Sequence, residues 1–189
     1  MFWLTTDRLG LRRFTFDDLD WLADLYADAD VTTHLGGTMD RTRVEQLLRV
    51  RILAYYDANP GLGNWMTIDR ATGVPVGFHL LNHIQGETIV QVGFVLLKSA
   101  WGRGLGTEMA SAVLRYGFVD LGLPRVVAIA NLENFASQRV LQKIGLHRNG
   151  ERAFPHPAYV AAGPMAWFER ERDGWIAEHG AHAAQRAPA

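Results

Sequence analysis

A glycine-rich segment, residues 99–108, carries the strongest chemical signal in the sequence. Its three glycines, Gly102, Gly104 and Gly106, stand at alternate positions between an apolar segment and an amphipathic helical pattern. Glycine permits backbone conformations that other residues avoid and lets backbone N–H groups approach a ligand closely. At a helix N-terminus such groups form a site for phosphate or pyrophosphate, to which Arg103 would add positive charge. A tight turn without a ligand explains the glycines alone equally well.

Two familiar phosphate-binding patterns and a metal site do not fit the sequence. A dinucleotide fingerprint requires a third glycine where Thr107 stands, and the preceding strands are predicted to be antiparallel. A P-loop requires lysine after the glycines, and the only lysines are Lys98 and Lys143. His79 and His83 share one face of a predicted strand but lie about 13 Å apart at a rise of roughly 3.3 Å per residue. We therefore predict no metal site, while an anion site of another type and a tight turn without a ligand both stay open.

The glycine-rich segment is one of three motifs that occur in a fixed order along the chain. Residues 101–108 read Trp-Gly-Arg-Gly-Leu-Gly-Thr-Glu, residues 134–146 carry Asn-x-x-Ser followed by Lys-x-Gly-Leu, and residues 6–12 read Thr-Asp-Arg-Leu-Gly-Leu-Arg. Together these motifs resemble the GNAT superfamily of N-acetyltransferases, and within it the branch that acetylates ribosomal proteins. The resemblance covers about residues 5–170.

The resemblance implies acetyl-CoA as the cosubstrate. The coenzyme A diphosphate would lie on the backbone amides of residues 103–107, and the pantetheine arm would run along residues 94–97. In such a fold the arm fills a gap between that strand and the strand at residues 125–130. The implied cofactor-binding residues are Phe94, Val95, Leu96, Leu97, Trp101, Arg103, Gly104, Leu105, Gly106, Thr107 and Asn134. The implied catalytic residues are Gln91, Ser137 and Asn134.

The sequence departs from the family pattern at the position of the general base. The family commonly has glutamate two residues before a Gly-aromatic pair, here Gly93-Phe94, whereas this chain has Gln91. A carboxamide cannot take up a proton as a base, although it can orient a water or hydrogen-bond an amine. Three interpretations stay open: Gln91 positions a water that relays the proton, the acceptor is a weakly basic amine, or the base is His79, His83 or Glu87.

The leaving thiol also needs a hydrogen-bonding partner. Many members of the superfamily have tyrosine four residues before the glycine that ends the helix, and Leu141 stands there in this chain. Ser137 matches the residue of the ribosomal-protein branch that is thought to hydrogen-bond the thiol. A small polar residue in a first helical turn can also serve the helix alone. Asn134 is predicted to be both the helix N-cap and a pantetheine contact.

Apolar periodicity predicts the elements that must position these residues. A first strand around residues 9–14 precedes a capping box at Thr15 and Asp18, an acidic amphipathic helix and a second helix from Thr42 to about Tyr56. Alternation predicts a meander of three antiparallel strands at residues 65–69, 76–82 and 89–97. Helices at 105–121 and 134–143 flank a strand at 125–130, and one or two further strands precede a short helix at 169–179.

This order of elements, with the resemblance, implies a mixed α+β GNAT fold. Its central, mostly antiparallel sheet would have six to seven strands, splayed in the middle and flanked by about four helices. One N-acetyltransferase domain is predicted over residues 1–180, with a flexible C-terminal tail at 181–189. A length of 189 residues with 48% hydrophobic side chains is sufficient for such a core.

Composition narrows the chemistry and the partners. The chain has no cysteine, which excludes disulfides, thiolate metal sites and a thiol nucleophile. A net charge of −1 argues against a nucleic-acid partner. We recognise no signal peptide and no spanning segment, so we expect a cytoplasmic protein with no membrane partner and leave a homodimer open.

The predicted function is an acetyl-CoA-dependent N-acetyltransferase that moves an acetyl group directly to a primary amine. Because Gln91 replaces the expected carboxylate, the alternative is a catalytically impaired acyl-CoA-binding module of the same fold. The aspartate-rich helix near residues 17–30, the loop at 34–37 and the loop at 155–157 are expected to border the acceptor groove. Their residues fit a protein N-terminus, a polyamine, an aminoglycoside or an amino acid about equally.

Overall fold

Eight strands build the protein around one mixed sheet, and the computed structural model describes residues 1–183. The strands are β1 Leu4–Thr5, β2 Leu9–Arg13, β3 Gly63–Asp69, β4 Pro75–His83, β5 Val90–Leu96, β6 Arg125–Asn131, β7 His147–Arg152 and β8 Met165–Glu171. They are ordered β1-β2-β3-β4-β5-β6-β8-β7, and only β5 and β6 run parallel within the described sheet. The predicted α+β fold is confirmed, with eight strands where six to seven were expected.

The helices outnumber the four that were expected. They are α1 Leu19–Ala27, α2 Ala29–Thr32, α3 Arg41–Leu47, α4 Ala54–Ala58, α5 Leu105–Val119, α6 Phe135–Lys143, α7 Pro157–Val160 and α8 Arg172–Ala183. A π-helix, Leu48–Leu53, joins α3 to α4, so the predicted second helix is one helical segment with an irregular middle. The short helices α2 and α7 went unpredicted because four residues are too few to display a helical period.

Three apolar clusters cover the sheet. The α5-side cluster packs Met109 and Val113 of α5 against Leu81 of β4. The α1-side cluster packs Leu22 and other residues of the first helices against Phe78, also of β4. Phe78 and Leu81 are three positions apart on one strand and therefore point to opposite faces of the sheet. The smaller β8-side cluster lies on the same face as the α1-side cluster and contains Ile84, Val127, Phe154, Met165 and Trp167.

The sheet opens between β5 and β6. Gln91 opposite Val127 is the one registered pair between these two strands among residues 1–183. Beyond it, residues 92–96 of β5 pair with β4 on one side and face a gap on the other. Alternate N–H and C=O groups of this segment are therefore available to a ligand that enters the gap. The splay implied by the family resemblance is present.

The C-terminal helix α8 packs against the α5-side cluster. Trp175 is buried, and its ring centroid lies 5.5 Å from that of Phe118 on α5. Because α8 continues to Ala183, residues 181–183 of the predicted flexible tail are helical. The rest of that predicted tail, residues 184–189, lies outside the described residues.

Candidate active site

A groove of about 660 Å³ lies beside the open edge of β5. Its walls are β5, the glycine-rich loop with the N-terminus of α5, the α6 helix, and the segment around α2. Among the predicted site residues, those that line it are Phe94, Val95, Leu96, Trp101, Gly104, Leu105, Gly106, Thr107, Asn134 and Ser137. The three sequence motifs were separated along the chain, and the fold brings two of them to this one groove.

The glycine-rich loop turns the first turn of α5 toward the groove. Gly102 has φ of 71°, and Gly104, the N-cap of α5, has φ of 74°, where any other residue would be strained. Within the described chain, no side chain caps α5. The backbone N–H groups of Leu105, Gly106 and Thr107 lack intrahelical acceptors, as at any helix start, and together with the helix dipole they are suited to bind an anion.

Trp101 holds the loop against β5. Its indole Nε1 donates a hydrogen bond to the backbone carbonyl of Leu96 at 2.9 Å. The residue is 47% exposed, although tryptophan is usually well buried. The indole therefore offers a flat apolar surface at the groove while its polar end is satisfied.

A carboxylate in the first turn of α5 ties the glycine-rich loop to the N-terminal strands. Glu108 accepts hydrogen bonds from the hydroxyl of Thr6 at 2.5 Å, from the backbone N–H of Arg8 at 3.0 Å and from Arg8 Nε at 2.6 Å. Arg8 Nη1 donates to the backbone carbonyl of Arg103 at 3.0 Å. We call Thr6, Arg8 and Glu108 the Glu108 clamp. Although burial would raise the pKa of Glu108, the bonds from Thr6 and Arg8 lower it.

Two predicted cofactor residues do not line the groove. The guanidinium Nη2 of Arg103 lies 3.4 Å from Oδ2 of Asp69, and Leu97 packs against the α1-side cluster. Positive charge at the groove comes instead from Arg139 and Lys143 of α6. Sequence reasoning missed these two cations as site residues, although their spacing of four positions puts them on one helix face.

Asn134 and Ser137 meet at the start of α6. Oδ1 of Asn134 accepts a hydrogen bond from the backbone N–H of Ser137 at 3.0 Å, which confirms the predicted N-cap. Both residues line the groove. The hydroxyl of Ser137 makes no hydrogen bond with another residue of the described chain, so it is available to a ligand.

Gln91 lies where β5 and β6 part, outside the groove lining. Its side chain is half-buried, and Nε2 donates a hydrogen bond to Oδ1 of Asn82 on β4 at 3.2 Å. Phe94, three residues further along the same strand, does line the groove. A catalytic role for Gln91 stays a prediction.

His79, the first alternative base, is a core residue. It is 0% exposed, and its Nδ1 lies 2.7 Å from the hydroxyl of Thr67. Burial lowers the pKa of His79 to about 3. A neutral imidazole held in the core has no route to an acceptor amine, so His79 belongs to the packing of the sheet.

The other two alternative bases are engaged by neighbouring side chains. His83 Nδ1 lies 2.6 Å from the hydroxyl of Tyr55. Glu87 forms an ion pair with Arg152 at 2.6 Å.

The three segments that were expected to border the acceptor groove do not all line the groove beside β5. His34 and Leu35 line the groove beside β5. His156 is the N-cap of α7, where its Nδ1 accepts a hydrogen bond from the backbone N–H of Ala158 at 3.2 Å. On the acidic helix α1, Asp20 pairs with Arg41.

Two further features are absent from the part of the chain that the structure describes. Residues 1–183 contain no cluster of three or more His, Asp or Glu side chains that could hold a metal ion. In the same residues, every helix is too short or too polar to cross a membrane.

Comparison with known sequences identifies the family to which this fold and groove belong. Residues 8–147 match the acetyltransferase (GNAT) domain, and the chain belongs to that family of enzymes. A relative called the uncharacterized N-acetyltransferase YoaA, from Bacillus subtilis (strain 168), is 31% identical over 152 residues. The match covers 78% of this chain and 84% of the relative.

Solved structures share the fold. A GNAT-family acetyltransferase from Bacillus anthracis has a TM-score of 0.72 at 26% identity, over 92% of this chain and 99% of that one. The aminoglycoside acetyltransferase AAC(6')-Ib, in complex with coenzyme A, has a TM-score of 0.71 at 19% identity, over 89% and 98%. A spermidine N-acetyltransferase from Vibrio cholerae, in complex with CoA and spermine, has 0.70 at 15%, over 90% and 99%. The last two show likeness of fold alone.

Proposed function

We infer that this chain is an acetyl-CoA-dependent N-acetyltransferase that moves an acetyl group directly to a primary amine, on a protein N-terminus or a small molecule. The groove beside β5 carries the proposal. It combines the uncapped N-terminus of α5, an open strand edge and the unpaired hydroxyl of Ser137 among the described residues.

Acetyl-CoA has parts that match each feature of the groove. Its diphosphate suits the backbone amides in the first turn of α5. Its remaining phosphate suits the cationic side chains of Arg139 and Lys143. The amides of its pantetheine arm can pair with the free edge of residues 92–96, as an added strand does. The coenzyme A complexes of two proteins with the same fold support this assignment.

Direct transfer makes defined demands on the chain. The amine nitrogen forms a bond to the thioester carbonyl carbon, the carbon–sulfur bond breaks, and the proton that nitrogen loses is balanced by the proton that the thiolate gains. The hydroxyl of Ser137 can donate a hydrogen bond to the leaving sulfur, and Oε1 of Gln91 can accept one from the amine. No cysteine takes part, in agreement with a chain that has none.

We propose that the acceptor is a primary amine and that the chain belongs to the branch of the family that acetylates ribosomal proteins. The Asn134-x-x-Ser137 motif, with both residues at the groove, favours that branch. The aminoglycoside and spermidine named for two proteins of the same fold carry primary amines, which supports an amine acceptor here. Their low identities to this chain do not choose between them.

Thiol release from acetyl-CoA tests the proposal. The purified full chain is assayed with spermidine, kanamycin and a short peptide with a free N-terminal serine, and we expect turnover with at least one. The fully methylated form of each amine is the matched control, because it has no N–H to lose. The absence of turnover with all three would contradict the proposal for these amine classes.

The alternative, a catalytically impaired acyl-CoA-binding module, is favoured by one observation: an amide stands where a carboxylate base is common. Such a module would show a rise in Tm with acetyl-CoA but no thiol release. An N-acetyltransferase shows both. The same two measurements therefore separate the candidates.

A further inference from the structure

Three side-chain carboxamides form a chain of hydrogen bonds across the centre of the sheet. Nε2 of Gln91 on β5 donates to Oδ1 of Asn82 on β4 at 3.2 Å, and Nδ2 of Asn82 donates to Oδ1 of Asn64 on β3 at 2.7 Å. The hydrogen bonds thus run in one direction, with Gln91 donating to Asn82 and Asn82 donating to Asn64. We call Asn64, Asn82 and Gln91 the amide chain.

The strand register accounts for the amide chain. Asn82 lies directly opposite Gln91, so their side chains project from the same face of the sheet. That face is shared with Leu80 on one side and Val127 on the other, members of the α1-side and β8-side clusters. All three amides are half-buried although β3, β4 and β5 are interior strands. The amide chain therefore lies on the face of the sheet between two apolar clusters, at the point where the sheet begins to splay.

The far end of the amide chain is anchored to the core. The buried hydroxyl of Tyr56 donates to the backbone carbonyl of Asn64, and it accepts a hydrogen bond from the backbone N–H of Phe14 at 3.1 Å. Burial raises the pKa of Tyr56 to about 12, so this hydroxyl keeps its proton. The backbone of Asn64, at which the amide chain ends, is thereby held against the core.

The amide chain decides which atom Gln91 presents to the gap. With Nε2 engaged by Asn82, Oε1 of Gln91 is left without a hydrogen bond among the described residues. A carboxamide oxygen accepts hydrogen bonds and cannot take up a proton. We propose that Asn82 is a positioning residue that orients Oε1 of Gln91 to accept a hydrogen bond from the N–H of the acceptor amine or from the O–H of a relaying water. This role rests on the proposed acetyl transfer.

Replacement of Asn82 tests the role. Asn82→Ala frees the Gln91 side chain to rotate, and we expect kcat for the amine that the parent acetylates to fall about 5–10-fold, the effect of one lost hydrogen bond. The KM for acetyl-CoA should stay within about twofold, since Asn82 is not part of the groove. Asn149→Ala is the matched control: it removes a side chain that bonds Glu169 on the far strands.

A conservative variant and a double variant separate positioning from simple stability. Asn82→Asp still accepts a hydrogen bond from Gln91 Nε2, and a turn of the Asn64 amide lets its Nδ2 donate to the new carboxylate. This variant should therefore restore kcat to within about threefold of the parent. If Asn82 acts through Gln91, Asn82→Ala combined with Gln91→Ala should be no slower than Gln91→Ala alone. Equal loss in Asn82→Asp and Asn82→Ala, or additive losses in the double variant, would overturn the proposal.

A second readout does not depend on turnover. In 15N-labelled protein, the side-chain NH2 signals of Gln91 should shift and exchange faster with water in Asn82→Ala, and stay unchanged in Asn149→Ala. Unchanged signals in Asn82→Ala would refute the amide chain itself. If these signals change while no amine is acetylated by the parent, the proposed function fails and the orientation of Gln91 still stands.

Discussion

The first turn of α6 both caps the helix and presents a hydroxyl group to the groove. The side chain of Asn134 caps the helix by accepting the backbone N–H of Ser137. Because this cap involves only the backbone N–H of Ser137, the hydroxyl of Ser137 remains available to a ligand in the groove. An Asn-x-x-Ser pattern at a helix start is common for capping alone, so spacing could suggest the cap, but only the fold could bring Ser137 to β5 and α5.

Ser137→Ala should lower turnover more than it lowers the affinity for acetyl-CoA. The lost hydroxyl would no longer donate to the leaving sulfur, and we expect kcat to fall about tenfold with a change below about twofold in the Kd of acetyl-CoA. Thiol-release kinetics and a binding titration measure the two quantities. Ser111→Ala, an exposed serine of α5, is the control and should leave both unchanged. An unaltered kcat in Ser137→Ala would remove this residue from the mechanism.

Gln91→Glu supplies the carboxylate that the family pattern leads one to expect. The new side chain can take up a proton from a bound ammonium, whereas the amide leaves that step to water. We expect kcat/KM to stay intact at high pH and to rise at about pH 6.5, where an alkyl amine with a pKa near 10.4 is almost wholly protonated. A pH profile of thiol release measures the effect. A complete loss of activity would indicate that the amide itself makes a specific substrate contact.

Among the elements, those with a clear period were predicted best. The meander β3–β5 and the helices α5 and α6 agree with the sequence to within a few residues, because each buries one regular face. Strand β7 gave no such signal, since nearly all of its residues are exposed at the edge of the sheet. The π-helix inside the α3–α4 segment could not be predicted from the sequence either, because a local change in the number of residues per turn leaves the spacing of apolar residues nearly intact.

The splay of the sheet depends on pairing between strands that are far apart in the sequence. Gln91 and Val127 stand 36 positions apart and make the single registered pair of β5 and β6 in the described sheet. The residue pattern of either strand alone does not predict this pairing. Family resemblance supplied this feature where periodicity could not. The amide chain is hidden from sequence reasoning for the same reason, since it needs the register of three strands.

Across the whole molecule, the Glu108 clamp joins segments about 100 positions apart. Sequence motifs flagged both segments, but their contact depends on the tertiary fold. An acidic residue in a first helical turn stabilises the helix, yet it would repel a bound diphosphate. Arg8 pairs with Glu108 and donates to the carbonyl of Arg103, so its positive charge offsets the carboxylate beside the predicted anion site.

Glu108→Gln should reduce the free energy of unfolding by about 1 kcal/mol near neutral pH, lowering Tm by about 2–4 °C, because glutamine cannot carry the charge that Arg8 pairs with. The clamp lowers the pKa of Glu108 below its usual value of 4.5, so its contribution is fully present above that pH and is lost as pH falls through the folded-state value. Thermal unfolding from neutral to acidic pH should therefore show the Tm difference shrink below about pH 4.5. Glu45→Gln, which breaks an exposed ion pair with Arg49, is the control and should change Tm by less than about 1 °C. A Glu108→Gln difference that is the same at every pH would mean that its charge does not hold the two segments together.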